Sequence, residues 1–333
     1  MRRRRGHVMG LALVTVLTGC ATGSSAPVPL PPGAPVFELP RCDDATGVVA
    51  AYTSRSDLGV ELIDVFGLDA QGNRVNLTDD GASGSPRFSP DGSTIVFTRG
   101  PGGSYAGGPA PADSLWLMNS DGTNERLLVE LTEVREAEYS PDGSRIAFSG
   151  RLSVDQTAAK TYVMNADGTD IRRATVSAPD YDVDNASEDE VAWSPDGTEL
   201  AFVRWVAGQP QVGIVSVDTG AARMVHSSSD GVFDLSWSAR GDRFLFTSAP
   251  GGVGSEPTAV ELELDSENRT TRVEAAVGAT YLTANGSEVL SRPSGDGAGF
   301  KLVITTMTGE TVTRSFEGPP PAGPVVLPPC AIR

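Results

Sequence analysis

The stretch SPRFSPDGSTIVFTR, from Ser85 to Arg99, returns as AEYSPDGSRIAFSG from Ala137 and VAWSPDGTELAFVR from Val191. A looser copy, LSWSARGDRFLFTS, begins at Leu235, and eroded copies begin at Thr46 and Thr280. Six copies at a spacing of about 45–55 residues limit the chain to folds assembled from one repeated β-sheet unit. In the four clearer copies an aromatic residue (Phe88, Tyr139, Trp193 or Trp237) closes a strand before the turn. In Ser-Pro-Asp-Gly the proline presets φ, the aspartate bonds its own backbone, and the glycine takes a positive φ. A second strand with alternating apolar residues follows, as at Ile95 and Phe97 or Ile146 and Phe148. Each copy therefore reads as a hairpin.

A second hairpin lies between successive copies: LWLMNSDGTNERLL from Leu115, TYVMNADGTDIRRA from Thr161 and VGIVSVDTGAARMV from Val212. Two hairpins make a four-stranded antiparallel sheet, which cannot cover both of its own faces. The expected fold is all-β, a six-bladed β-propeller of four-stranded antiparallel blades.

The repeat W/F-S-P-D-G-x-x-I-A-F-x-R with Y-V-M-N-A-D-G-T resembles the TolB-type propeller repeat, a relative of WD-type repeats. The resemblance spans about Asp43 to Phe316, with three close copies and three eroded ones. It implies the fold and leaves the function open, because propellers serve as binding proteins, scaffolds and enzymes. The α/β domain that precedes the repeats in TolB proper has no counterpart here.

Residues 1–19 read as a signal peptide: basic Arg2–Arg5, an apolar stretch from Val8 to Leu17 too short to span a bilayer, then Leu17-Thr18-Gly19-Cys20. That ending resembles a bacterial lipobox, which implies cleavage before Cys20 and acylation (palmitate) of its thiol. An ordinary secretory signal with a chance cysteine is the alternative. Residues 20–41, rich in Pro, Ala and Gly, read as a tether, and 42–333 as the propeller. Cys42 and Cys330 flank the first and last repeats. A propeller brings its chain ends together, and an exported protein meets an oxidising compartment, so a Cys42–Cys330 disulfide is expected. Two separate thiols are the alternative.

The formal net charge of −17 argues against nucleic acid and against direct adhesion to anionic lipid. The membrane is reached through the lipid anchor alone, the location is the extracytoplasmic side of the cell envelope, and a monomer is expected. Beyond residue 19 the chain holds one histidine, His226, and no G-x-S-x-G elbow. This gives nucleophilic catalysis and a multi-histidine zinc site no support.

Three sets of residues are candidates for function. Asp180, Asp182 and Asp184 alternate and Glu188 follows; hard oxygen donors at this spacing suit Ca²⁺, although the EF-hand pattern fails at Asn185 and Val191. A solvated acidic loop is the competing reading. Arg55, Arg99, Arg151, Arg204 and Arg292 each follow the second strand of a repeat and are expected to rim one face. They would clamp an anion or pin neighbouring blades by ion pairs. Asp91, Asp142 and Asp196 are explained by their turns. The long loops are expected on that same face, which makes it the binding surface. The leading reading is a non-catalytic, lipid-anchored propeller that binds an envelope protein or polymer. The alternative is a carbohydrate-active lyase or hydrolase with its site at the channel mouth.

Overall fold

The computed structural model describes residues 47–55, 62–100, 104–105, 108–109, 112–178, 185–249, 257–264, 270–275, 278–282, 287–293, 299–305, 311–317, 321 and 325–327. Cys20, Cys42 and Cys330, and with them the lipidation and the disulfide, lie outside these residues. Every described element is a β-strand or turn, and the sheets pair antiparallel.

The first sheet is β1 (Ala50–Arg55), β2 (Ile63–Leu68) and β3 (Arg74–Asn76). Next come β4 (Ser83–Phe88) and β5 (Thr94–Arg99), then a short β6 (Ser104–Tyr105) paired with β7 (Gly108–Pro109). They are followed by β8 (Ala112–Asn119), β9 (Arg126–Tyr139), β10 (Arg145–Arg151), β11 (Lys160–Asn165) and β12 (Arg172–Arg173). With β4 and β5, strands β8 to β12 form one seven-stranded sheet, because β9 serves twice. Its first part pairs with β8 and its second with β10. No proline or glycine interrupts RLLVELTEVREAEY, so nothing forces a break between the two repeats. Three four-stranded sheets follow. They are β13 (Ser187–Trp193), β14 (Glu199–Val206), β15 (Gln209–Ser216) and β16 (Ala222–Ser227); β17 (Gly231–Trp237), β18 (Arg243–Ala249), β19 (Thr258–Glu263) and β20 (Thr270–Ala275); and β21 (Gly278–Leu282), β22 (Ser287–Pro293), β23 (Gly299–Thr305) and β24 (Thr311–Glu317).

The expected alternation in the second strands is replaced by continuous burial. Ile95, Val96 and Phe97 are all inaccessible, as are Ile146, Ala147 and Phe148. The reason is that each sheet packs on both faces, so its strands have no wet side. Apolar clusters join successive sheets. Phe88 and Met118 pack with Val65 and Leu77 of the first sheet region, and Tyr139 and Phe148 pack with Leu115 and Leu117. Trp193 and Phe202 pack with Ala147 and Val163, Trp237 and Phe244 with Val212 and Ile214, and Leu290 and Val303 with Leu245 and Ala259. A last cluster unites the ends: Tyr52, Phe66 and Leu68 with Phe300, Ile304 and Phe316, the Tyr52 and Phe300 rings meeting edge-on at 5.4 Å.

The first repeat departs from the hairpin expectation. Among the described residues its copy at Thr46 supplies β1 and no strand inside it. That place is taken by residues 325–327, where Ala51 and Val326 exchange two backbone hydrogen bonds of 2.9 Å. Val325, Val326 and Leu327 are buried there.

The tight turns share one edge of each sheet. Ser120 N donates to Ser93 O, Ala166 N to Ser144 O and Val217 N to Thr198 O, stitching the two turns of a repeat side by side. In the SPDG turns Ser140 Oγ donates to Asp142 Oδ1 at 2.6 Å while Gly143 takes φ 72°. The opposite edge carries the longer connections, with one exception to the expected pattern. In the fourth repeat Val206 pairs with Gln209 across a two-residue hairpin, Ala207-Gly208, with φ of 51° and 81°.

Candidate functional site

The first strands of four successive repeats, β4, the second half of β9, β13 and β17, pack one against the next. Each is disturbed near the same place, by a register shift two to four residues before its closing aromatic residue; in β9 the extra residue is Arg135. The shifts fall between Gly84 and Arg87, opposite Ser149 and Gly150, between Asp189 and Val191, and between Phe233 and Ser236. Ser85, Glu190 and Asp234 occupy the extra position with φ of 49°, 50° and 57°. Such bulges re-aim a side chain. Glu136, Glu190 and Asp234 hold equivalent positions, three residues before Tyr139, Trp193 and Trp237.

Arg87 sits among these acids. Its Nη2 lies 3.0 Å from Glu136 Oε1, with side-chain exposures of 16% and 14%, so the pair is neither sealed nor on the outer surface. Its Nη1 donates to Pro86 O at 3.1 Å. Burial works against the guanidinium charge, but Glu136, Glu138, Asp234 and Glu190 outweigh it and raise the Arg87 pKa. Glu138, on the same strand as Glu136, accepts from the Trp193 backbone N–H at 3.0 Å, and its own carbonyl accepts from the Trp193 indole N–H at 3.1 Å. Glu190 accepts weakly from Leu235 N at 3.4 Å.

One cation cannot balance four carboxylates in a confined interior, and protons make up the difference. Desolvation pushes the Glu138 carboxyl up to about 7, although Arg87 and the Trp193 N–H pull the other way. Asp234 is also pushed to about 7, by burial and then by Glu136, against Thr247 and Arg87. Glu190 is raised well above the carboxylate range by burial and by Glu136, Asp234 and Asp189. This inner wall can hold protons and attract a cationic group.

A second ionic network lies toward the long-loop edge. Glu133 takes Arg135 Nε at 2.8 Å on one oxygen and Arg151 Nε at 2.6 Å on the other. Arg135 Nη1 reaches Asp189 Oδ2 of the next repeat at 2.6 Å. Gly150 faces this bulge, where a β-carbon would stand 2.1 Å from the Glu133 carbonyl oxygen.

The arginines singled out in the sequence stand at or near the ends of second strands, and those whose side chains are described have separate partners. Arg99 binds Asp80 at 2.6 Å and Glu125 at 2.8 Å, with its guanidinium 4.3 Å from the Trp116 ring. Arg151 is held by Glu133. Arg204 is buried and donates to Gln211 Oε1. Arg292 is half-buried on β22, and Arg55 ends β1. Of the acidic-loop candidates, Asp180, Asp182 and Asp184 lie outside the described residues. The buried Glu188 accepts from Thr161 N at 2.9 Å and Thr175 Oγ1 at 2.8 Å. Asp91, Asp142 and Asp196 each bond within their own turns. Sequence reasoning missed the inner wall. Its signal was an acid three residues before the aromatic in the third, fourth and fifth copies.

No family model matches the chain. Over 68 residues it is 41% identical to the Tol-Pal system protein TolB of Gluconobacter oxydans (strain 621H), a match covering 20% of this chain and 13% of that one. Among solved structures it resembles TolB from Acinetobacter baumannii, with a TM-score of 0.61 at 16% identity over 82% of this chain and 65% of that one. It also resembles a putative TolB from Agrobacterium tumefaciens, with a TM-score of 0.57 at 14% identity over 85% and 94%. The chain thus spans a small part of its curated relative and just under two thirds of the Acinetobacter protein.

Proposed function

Starting from the TolB-type propeller fold that the chain shares with these structures, we propose that it is a non-catalytic binding protein of the cell envelope. In this reading residues 42–333 form six four-stranded blades, the first completed by residues 325–327. The signal of residues 1–19 leads to an acylated Cys20, the tether of 20–41 holds the propeller off the membrane, and Cys42–Cys330 locks the closure. The partner is an envelope protein, of the kind that the Tol-Pal name of the curated relative implies.

The observation that carries the reading is the division of the sheet edges. One edge is finished by self-bonded turns, and the other carries the variable connections over arginines already held by Asp80, Glu125 and Glu133. A rigid, charge-satisfied base beneath variable loops is a binding platform.

A photo-crosslinking residue at Val154, 81% exposed on the long-loop edge, should yield protein adducts in intact cells. The same probe at Asp167, in a tight turn of the same repeat, should not. Adducts at Asp167 alone, or at neither position, would overturn the reading. A Cys20→Ser variant should leave the membrane fraction.

The inner wall favours a second reading. Acids of unlike ionisation on neighbouring strands are the chemistry of glycosidic bond cleavage. Turnover of envelope or acidic glycans that disappears in Asp234→Asn would establish it in place of the first.

A further inference from the structure

We propose that the cluster of Arg87, Glu136, Glu138 and Asp234 is a proton-operated latch between neighbouring repeats. While a carboxyl keeps its proton the inner strands stand close, and losing it loosens them.

The geometry supplies the parts. The four residues lie on β4, β9 and β17, the first strands of separate repeats, with β13 between the last two. Polar links cross them: Arg87 to Glu136 at 3.0 Å, Trp193 N to Glu138 at 3.0 Å, the Trp193 indole N–H to Glu138 O at 3.1 Å, Arg135 to Asp189 at 2.6 Å, and Leu235 N to Glu190 at 3.4 Å. The charges that act on Asp234 are Glu136 and Arg87, and Asp234 in turn acts on Glu190. Asp189 binds Arg135, and Arg204 of β14 donates to Gln211. With Glu138 and Asp234 protonated, the Arg87–Glu136 pair is balanced. When both ionise, negative charge is added beside Glu136 and Glu190, and Arg87 is the cation that acts on Glu138, Asp234 and Glu190.

The direction of the pH effect follows. In the unfolded chain these carboxyls lose their protons near about 4. In the fold Glu138 and Asp234 keep them up to about 7. The folded form therefore binds more protons over that interval. Stability falls as pH rises from about 4 to about 7 and levels off above.

The test is the melting temperature of the protein between about pH 5 and about pH 8, together with the infrared carbonyl band of protonated carboxyl groups at about pH 6. The expected result is a fall of roughly 2–6 °C toward pH 8, and a protonated-carboxyl band at pH 6. Asp234→Asn and Glu138→Gln should each flatten the fall and reduce the band. Glu138→Gln keeps an acceptor for Trp193 N, so it remains informative if the other variant fails to fold. A rising or flat profile, a slope unchanged in a folded variant, or no band at pH 6 would overturn the proposal.

Discussion

Arg87 of β4 and Glu136 of β9 bind across two repeats at 3.0 Å, and Arg87 is the cation whose field raises no carboxyl of the inner wall but lowers those of Glu138, Glu190 and Asp234. Removing one partner of a largely buried pair costs more than the pair itself contributes, because the other charge is left behind. Arg87→Met should destabilise the protein by about 2–4 kcal/mol, the residual exposure of both groups keeping it at the low end for buried pairs. Adding Glu136→Gln should restore part of the loss. Urea unfolding of the single and double variants measures both.

The bridging of residues 325–327 to β1 makes a sharp prediction about that segment. Burying each such side chain is worth about 1.5–3 kcal/mol, so losing three removes a large share of a domain's typical stability of about 5–15 kcal/mol. A chain ending at residue 324 should lose its cooperative melt. A chain ending at Leu327 lacks only the segment beyond the closing strand. Under reducing conditions it should melt like the full chain, and any extra stability of the full chain without reductant then measures the proposed disulfide.

The SPDG turn titrates in the opposite sense to the inner wall. Hydrogen bonds from Ser140 and from Ser144 hold Asp142 down at about 2. Its contribution is present above about 4 and is lost as pH falls through about 2. Asp142→Ala should cost under about 1 kcal/mol at neutral pH, because the turn is exposed. The difference in urea midpoint from the unchanged protein should shrink toward pH 2.

The repeat was legible because its turn chemistry and aromatic anchors are local. Ser140, Asp142 and Gly143 specify their turn whatever surrounds it, and Tyr139 needs only a neighbouring sheet to be buried. Two things were not local. Val325–Leu327 carries no repeat signature, so only the bridge between Val326 and Ala51 ties it to the first sheet. The inner wall depends on bulges that turn Glu190 and Asp234 inward, and a strand pattern of period two assigns such residues to the wrong face. The rim arginines fell between these cases. Their place at strand ends was readable, but their partners, such as Glu125 for Arg99, sit a strand away and could not be paired from spacing alone.

The exchange between Ala51 and Val326 also sets an order of events. A ribosome releases Ala51 long before Val326. Until then the first sheet lacks its inner strand, and Tyr52 and Phe66 have no Phe300 or Val325 to cover them. Long-range closure of this kind is slow and leaves apolar surface open during synthesis. The first repeat therefore keeps its apolar face open until a segment made long after it arrives, and its packing is finished by residues from outside its own stretch of sequence.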